Sequence, residues 1–245
     1  MARRALGLCL LATLASLRMS LAATAGRVLL VLTTSGSDGH LRALHCHAAH
    51  WARNPLARQA DVQLYSTRLL SSDFVSRFER AYASNHVGTF VITPPEGSDQ
   101  NAQVIDTFLQ ALHPPALARY DWVVVSNVDV VMRNATRLAR MLTNPETWAV
   151  LANCNPDRRC VAACTRAVVH SDFFAFRPRE VRFHNRTGAT HAETYAKRMF
   201  YAAITLGHDA WIQARGFRDH SCRIRAGLRE GRPEVVHYHH GGGCR

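Results

Sequence analysis

The chain has 245 residues, of which 30 are Lys or Arg and 18 are Asp or Glu, so its formal charge is +12. This length suffices for one large domain, or two small ones, with a substantial core. The basic residues are spread along the chain, and no basic face with interleaved aromatic residues stands out, which weighs against nucleic-acid binding. The excess of Arg is instead attributed partly to compositional bias and partly to attraction for anionic ligands such as nucleotide diphosphates or acidic glycans.

The first 25 residues have the layout of a secretory signal peptide. Arg3 and Arg4 precede an apolar run at 5–17, and Ala23 to Ala25 supply a small-x-small cleavage site. The apolar run is short for a membrane span, so cleavage is favoured over a permanent signal anchor, which stays the alternative. We therefore predict one mature domain at 26–245, with any membrane contact made through the N-terminal segment.

Cysteines and glycosylation acceptors agree with export. Two N-x-T acceptors begin at Asn134 and Asn185. Six of the seven cysteines lie outside the signal, an even set that is compatible with three disulfides of open pairing: Cys46, Cys154, Cys160, Cys164, Cys222 and Cys244. We expect a glycoprotein of the secretory pathway, in the lumen of the ER or Golgi or outside the cell.

Strand and helix patterns alternate through the first half of the chain. Buried strands are predicted at 27–34, 61–65, 88–93 and 122–125, with helices at 41–51, 72–84 and 99–112 between them. Such alternation implies right-handed crossovers and a parallel sheet that binds ligands at the carboxyl ends of its strands. We predict a single α/β domain with a mostly parallel, Rossmann-like central sheet flanked by helices.

The alternation weakens beyond residue 132. Helices are predicted at 136–142 and 191–206, and strands at 148–152, 168–177 and 235–240. A cysteine-bearing loop at 153–165 lacks the spacing of a usual zinc knuckle, which favours disulfides over a metal there.

The fourth predicted strand ends in two polar residues, Asn127 and Asp129. In an extended segment, residues i and i+2 point to the same side, so this amide and this carboxylate can converge on one ligand. Hard oxygen ligands suit Mg²⁺ or Mn²⁺, often with a nucleotide phosphate completing the shell. The alternative is an Asx turn that closes a core strand. The position at the end of a parallel strand favours the ligand site.

These features, together with SDFFAFRP at 171–178 and HAETYAKRMF at 191–200, resemble the glycosyltransferases of the GT-A fold. In that superfamily a D-x-D element holds a divalent ion against the diphosphate of a nucleotide sugar. Asn127 and Asp129 stand at its acidic positions here, so Asn replaces the first acid. The resemblance implies a hexosyltransferase acting on a glycan, glycoprotein or glycolipid acceptor, with a nucleotide-binding half at 26–132 and an acceptor-binding half at 133–245.

The resemblance also implies a set of metal ligands. Asp129 would anchor Mn²⁺ or Mg²⁺, with Asn127 beside it on the diphosphate. A histidine near the C-terminus commonly completes such a shell, and His237 is the preferred candidate. His239 shares one side of an extended segment with His237 and is the second candidate.

Four further residues are candidates for the donor and for catalysis. Asp172 would bind hydroxyls of the donor sugar, as the resemblance implies, and Arg177 would pair with phosphate or only with Asp172. Transfer with inversion needs a general base near the acceptor hydroxyl, for which Glu193 and Asp209 are the candidates. A carboxylate such as Glu193 in the first turn of a helix is also favoured by the helix dipole alone.

Two other classes of protein stay open. The missing first acid leaves room for a secreted carbohydrate-binding or non-catalytic protein that has kept the fold. His45, His47 and His50 on one predicted helix raise the possibility of zinc and a secreted metal-dependent hydrolase. No acid accompanies these histidines in the HExxH manner, so a surface or core-edge pair is favoured.

Overall fold

A mostly parallel sheet runs through the middle of the chain, with helices on both faces. The computed structural model describes residues 26–83, 85–92, 112, 117–133, 135–153, 171–181, 192–215 and 235–237. Predictions for the signal segment, for the helix at 99–112 except its last residue, for both predicted glycosylation acceptors and for His239 lie outside these residues.

The sheet is built from short, apolar strands. They are β1 (Val28–Thr34), β2 (Ala60–Ser66), β3 (His86–Val91), β4 (Trp122–Asn127), β5 (Val130–Met132), β6 (Ala149–Asn153), β7 (Phe173–Phe176), β8 (Asp209–Arg215) and β9 (Val235–His237). Their hydrogen-bonded order is β3-β2-β1-β4-β7-β6-β8-β9-β5. Neighbours from β3 to β4 are parallel, whereas β7 runs antiparallel to both β4 and β6. The predicted α/β class with a mostly parallel sheet is confirmed.

The described helices are α1 (Asp38–Ala52), α2 (Ser72–Ala81), α3 (Ala135–Thr143), α4 (Ala192–Met199) and α5 (Tyr201–Leu206), with a 3₁₀ turn at Pro55–Arg58. α1 begins three residues before the predicted start because Ser37 caps it, accepting a hydrogen bond from the backbone N–H of His40. Within the residues that the structure describes, no helix combines the length and the apolarity needed to cross a bilayer.

Each face of the sheet buries its own apolar cluster, because successive residues of a strand point to opposite faces. Even-numbered residues of β1 and β4 pack with side chains of α1, α2 and α3, among them Leu30, Val124, Leu44, Phe74 and Leu138. Odd-numbered residues of the same strands pack with β7, α4 and α5, among them Val31, Val125, Phe174, Tyr195 and Phe200. The sheet is therefore covered on both sides, which explains why its strands are continuous apolar runs.

β5, β9 and the end of β8 form a short ladder that crosses the carboxyl edge of the sheet. β5 follows β4 after only two residues, yet it pairs with β9, and β9 pairs with β8 at Ala214 and Arg215. Since β8 lies on the far side of β7 and β6 from β4, this ladder must bridge that gap. It brings the C-terminal strand β9 to the end of β4.

The observed elements differ from the predicted ones at four places. β5 and β8 were not predicted, because three residues are too few for a periodic signal and DAWIQAR does not alternate cleanly. The predicted helix at 191–206 is divided into α4 and α5 at Phe200. β7 spans only Phe173–Phe176, and residues 171 and 172 form a turn before it.

The structure leaves the disulfide pairing untested. Cys46 is buried on α1, and the other five candidate cysteines lie outside the described residues. The three disulfides stay a prediction.

Candidate functional site

Polar side chains gather at the carboxyl edge of the sheet, where β1 and β4 end and β7 begins. Because β7 is antiparallel to β4, Asp172 at its start lies beside Asn127 at the end of β4. The turn after β1 and the N-terminus of α1 reach the same edge. Gly36 in that turn has a φ of +69°, which favours glycine, and its N–H donates to the Thr34 hydroxyl at 3.0 Å.

Asp129 is buried beside a histidine of α1. The Asp129 residue is 4% exposed, and its Oδ2 lies 3.4 Å from His40 Nε2. On the other side of the ring, His40 Nδ1 accepts a hydrogen bond from the backbone N–H of Ser35 at 3.0 Å. A neutral imidazole that accepts at Nδ1 carries its proton on Nε2, so the ring presents an N–H to the carboxylate.

Asn127 makes a different set of contacts. Its Nδ2 donates to Asp172 Oδ1 at 2.8 Å, and its Oδ1 accepts from the Thr33 hydroxyl. Its backbone N–H donates to the Asp172 carbonyl oxygen at 3.0 Å. Asn127, Thr33 and Asp172 thus form one hydrogen-bonded group.

The Asn127 and Asp129 side chains have partners on opposite faces of the sheet. Residues 128 and 129 form a turn, so the extended geometry assumed for the pair does not extend to Asp129. Asn127 contacts Thr33, whereas His40, the neighbour of Asp129, lies 3.1 Å from the hydroxyl of Thr34. Consecutive strand residues point to opposite faces. The two predicted ligands are therefore parts of separate groups at one edge.

Strand pairing brings the backbone of His237 to Asp129. In the antiparallel pair of β5 and β9, Val130 is opposite His237, and such partners have Cα atoms about 5 Å apart. Asp129 directly precedes Val130, the strand partner of His237. The two predicted metal ligands, far apart in sequence, are thus close together at the same edge.

A carboxylate oxygen from Asp129 and an imidazole nitrogen from His237 are a donor set that suits Mn²⁺, and the buried position of Asp129 strengthens its attraction for a cation. The chemistry of this pair is therefore compatible with a divalent ion. Among the side chains that the structure describes, no three His, Cys, Asp or Glu residues form a cluster that could hold a metal. The side chain of His237 is outside that set.

The two candidate bases lie on different elements, and strand pairing locates Asp209 relative to the site. Glu193 is in the first turn of α4. α4 and α5 cover one face of the sheet and lead into the amino end of β8. Asp209 is the first residue of β8. Strand pairing places it level with Ala149 of β6, Phe176 of β7 and Val123 of β4. That level is about 13 Å along the strand direction from Asn127, so Asp209 is not brought to the site.

Arg177 also lies at the opposite edge, because it follows the last residue of the antiparallel strand β7. Its Nε and Nη2 donate to the carbonyl oxygens of Thr147 and Asn144 at 2.9 and 3.2 Å. Its guanidinium carbon lies 4.9 Å from the centre of the Trp122 ring. The predicted pairing with Asp172 is therefore corrected, because Asp172 directly precedes the other end of β7. Arg177 anchors the loop before β6 instead of binding a diphosphate.

Three of the four histidines of α1 are candidate zinc ligands in the sequence, His45, His47 and His50, and they do not converge as a group. His45 is exposed and His47 is buried, and the Nδ1 atom of His47 lies 2.6 Å from the Tyr82 hydroxyl. Burial lowers the pKa of His47 to about 4; the charge of His50 adds to this effect and the nearby Asp129 opposes it. His47 is therefore neutral at neutral pH and belongs to the core.

We expect His47 to make the protein less stable in acid. Its folded pKa is about 4, below the ordinary value of about 6.5, so from about pH 6.5 down to 4 the unfolded chain binds a proton that the folded chain does not. The linked loss of unfolding free energy approaches 1.4 kcal/mol per pH unit and sums to about 3 kcal/mol. Urea unfolding of the wild type, His47→Gln and the exposed control His45→Gln at pH 7, 5.5 and 4.5 measures it. Equal pH slopes in all three proteins would contradict this role of His47.

Sequence reasoning missed two residues of the site, His40 and Thr33. Their signal was present but weak: β1 ends in two hydroxyl residues, and a Gly-containing turn leads to a histidine in the first turn of α1. The contacts of Thr33 with Asn127 and of His40 with Asp129 depend on the face of β1 on which each partner lies. That face is known only once the strands are paired.

No family model and no curated protein matches this sequence. Solved structures do match its fold: the chain shares the GT-A fold of the structures that follow.

Three solved structures illustrate the likeness. A mannosyltransferase from Pyrobaculum calidifontis, solved with GDP-mannose and Mn²⁺, is 16% identical with a TM-score of 0.50, over 82% of this chain and 60% of its own. The galactosyltransferase LgtC, solved with donor and acceptor sugar analogues, is 12% identical with a TM-score of 0.50, over 86% of each chain. The bifunctional glycosyltransferase WbbM is 11% identical with a TM-score of 0.50, over 87% of this chain and 46% of its own.

Proposed function

We propose that this protein transfers a sugar from a nucleotide-sugar donor to a glycan, glycoprotein or glycolipid acceptor. The observation that carries the proposal is the carboxyl edge itself, where Asp129, Asp172 and the backbone of His237 meet at the end of β4. In open α/β sheets, ligands bind at this edge. The neighbours' ligands, GDP-mannose with Mn²⁺ in one and sugar analogues in another, agree with the donor class.

Asp129 and His237 would hold the divalent ion. When bound, a Mn²⁺ or Mg²⁺ ion offsets the negative charge that develops on the departing diphosphate. His40 keeps the Asp129 carboxylate oriented through its Nε2 proton. Since Ser35 and Thr34 in turn hold the other ring nitrogen, Asp129 is fixed before any ligand arrives. His239 remains a further candidate ligand.

Asp172 would bind hydroxyls of the donor sugar, and Glu193 would accept the proton of the acceptor hydroxyl. Asp172 lies beside the end of β4, and α4 packs on the face of the sheet that carries the odd-numbered residues of β4. A carboxylate such as that of Glu193 is suited to general-base catalysis because, in its charged form, it can accept the proton of a hydroxyl group. Glu193 is preferred to Asp209, which lies at the other end of the sheet.

The cellular setting is part of the proposal. The N-terminal segment, the six cysteines and the two N-x-T acceptors support action in the ER or Golgi lumen or after secretion, with either a cleaved signal or an N-terminal anchor. Hexose transfer agrees with the mannosyl and galactosyl enzymes among the structural neighbours.

A donor screen tests the proposal. The mature chain is mixed with Mn²⁺ and UDP-glucose, UDP-galactose, UDP-N-acetylglucosamine or GDP-mannose, and released nucleoside diphosphate and thermal stability are both measured. We expect one base to be preferred, with metal-dependent stabilisation and slow hydrolysis of its sugar nucleotide. No effect of any nucleotide, with or without Mn²⁺, would reject the transferase and favour a binding protein that has kept the fold.

A further inference from the structure

Both ends of the Asn127 side chain are used within the protein. A carboxylate only accepts hydrogen bonds, so the NH₂ group of Asn127 must face Asp172 Oδ1, 2.8 Å away. The amide oxygen is then directed to the Thr33 hydroxyl, which donates to it. The Thr33 contact therefore fixes which end of the amide faces Asp172.

An aspartate at position 127 could not form this group. It would set a carboxylate oxygen against Asp172 Oδ1 at the distance of a hydrogen bond, and like charges on directly opposed strand residues repel. The backbone N–H of Asn127 donates to the Asp172 carbonyl, so the two residues are held side by side and neither can move away cheaply. The amide in place of the first acid of D-x-D thus matches its neighbour Asp172.

We propose that Asn127 is a positioning residue that fixes the Asp172 carboxylate for the sugar of the donor, and that it ligates neither the metal nor the diphosphate. This role rests on the proposed function, in which Asp172 contacts the sugar. The partner of Asp129, His40, lies on the other face of β1. Of the two residues after β4, Asp129 alone is then assigned as a metal ligand.

The division of roles has a measurable consequence. A nucleoside diphosphate with Mn²⁺ lacks the transferable donor sugar, beyond the diphosphate, that Asp172 would contact, so its affinity does not depend on Asn127. The corresponding sugar nucleotide does contact Asp172, and hydrogen bonds to a charged group are strong and depend on orientation. A merely structural role of Asn127 would weaken both ligands together.

The experiment compares four full chains by isothermal titration at fixed Mn²⁺. They are the wild type, Asn127→Asp, Thr33→Val, and Asn144→Asp as a matched control. Asn144 is exposed, its Oδ1 accepts from a backbone N–H as an aspartate also would, and it precedes β6 at the opposite edge. The probes are UDP or GDP, whichever the donor screen prefers, and the sugar nucleotide that carries the same base.

We expect Asn127→Asp to bind the sugar nucleotide roughly ten-fold or more weakly and the nucleoside diphosphate as the wild type does. Thr33→Val, which keeps the shape of the side chain, should show a smaller loss in the same direction, and it serves as the test if Asn127→Asp does not fold. Asn144→Asp should match the wild type with both probes.

Three results would overturn the role of Asn127. They are tighter binding of Mn²⁺ and nucleoside diphosphate by Asn127→Asp, an equal loss for both probes, and wild-type affinities in both variants. The first would make position 127 a metal or phosphate ligand like the first acid of D-x-D. If the wild type binds the nucleoside diphosphate but no sugar nucleotide, or binds neither, the proposed function itself fails, which is distinct from a failure confined to the variants.

Discussion

Replacing Asp129 with Asn is expected to abolish the Mn²⁺-dependent stabilisation of the protein by a nucleoside diphosphate. Asn keeps the shape of the side chain and an oxygen that can accept from His40, so the fold should survive. It removes the negative charge that holds the cation at the carboxyl edge, where the residue is 4% exposed. The loss should therefore appear in binding and not in the unfolding of the free protein.

The expected sizes follow from linkage. A ligand at 100 times its Kd stabilises a protein by about 2.7 kcal/mol, which raises Tm by about 5–10 °C for a chain of this length. In Asp129→Asn that shift should vanish. Transfer should fall on the order of a thousand-fold, because the ion contributes several kcal/mol to the transition state. An undiminished Tm shift or retained transfer would reject Asp129 as the metal anchor.

Two substitutions on α1 complete this experiment. His40→Ala removes the ring that faces Asp129 Oδ2 at 3.4 Å, and partners of metal ligands are typically worth about 10- to 100-fold in metal affinity. His45→Ala, on the exposed side of the same helix, is the control and should leave Mn²⁺ affinity unchanged. A graded series, with Asp129→Asn weakest and His40→Ala intermediate, would assign the effect to the site and not to α1 as a whole.

The fold was predictable from the sequence where local pattern decides it. β1 and β4 are unbroken apolar runs because both of their faces are covered, and both were predicted. The cap at Ser37 is of an ordinary kind, but the prediction began α1 three residues too late and missed it. β5 could not be found in this way, since a strand of three residues depends on partners that are distant in the chain, and β8 was missed because DAWIQAR does not alternate cleanly. The antiparallel direction of β7 is likewise a property of the connection and not of the residues FFAF.

The site was predictable in part, for the same physical reason. A polar residue at the end of a buried strand must lie at an edge of the sheet, which correctly drew attention to Asn127 and Asp129. The direction of each side chain beyond that point depends on the turn at 128–129 and on neighbours in β1 and β7. Arg177 was not predictable in this way. The motif SDFFAFRP suggests that Asp172 and Arg177 act together, yet β7 lies between them and places them at opposite edges of the sheet.

An aromatic cluster around Phe174 packs α4 against the sheet beside the candidate site. This residue is fully buried in the central strand β7, and its ring packs edge-on against Phe200 with centroids 5.2 Å apart. Phe200 stands at the junction of α4 and α5, and it also contacts Phe176 at 6.0 Å. These rings therefore hold α4, which carries the candidate base Glu193, against the face of the sheet on which Asp172 and Asn127 meet.

Phe174→Ala should lower the unfolding free energy by about 3–5 kcal/mol, because it leaves a large cavity in a core that cannot collapse around it. The corresponding fall in Tm is about 10 °C. Below the new Tm, we expect transfer to fall more than nucleoside-diphosphate binding, since α4 loses its anchor while the ends of β1 and β4 keep theirs. Urea unfolding measures the first effect, and steady-state kinetics beside titration measures the second.

The matched control is Phe90→Ala on the edge strand β3. Phe90 is 41% exposed and stacks on Tyr65 with centroids 4.9 Å apart, so the same truncation should cost about 1 kcal/mol or less and leave transfer unchanged. If Phe174→Ala lost stability but kept full transfer, α4 would not depend on this cluster for its position. Glu193 would then have to be held by contacts of α4 nearer to its own first turn.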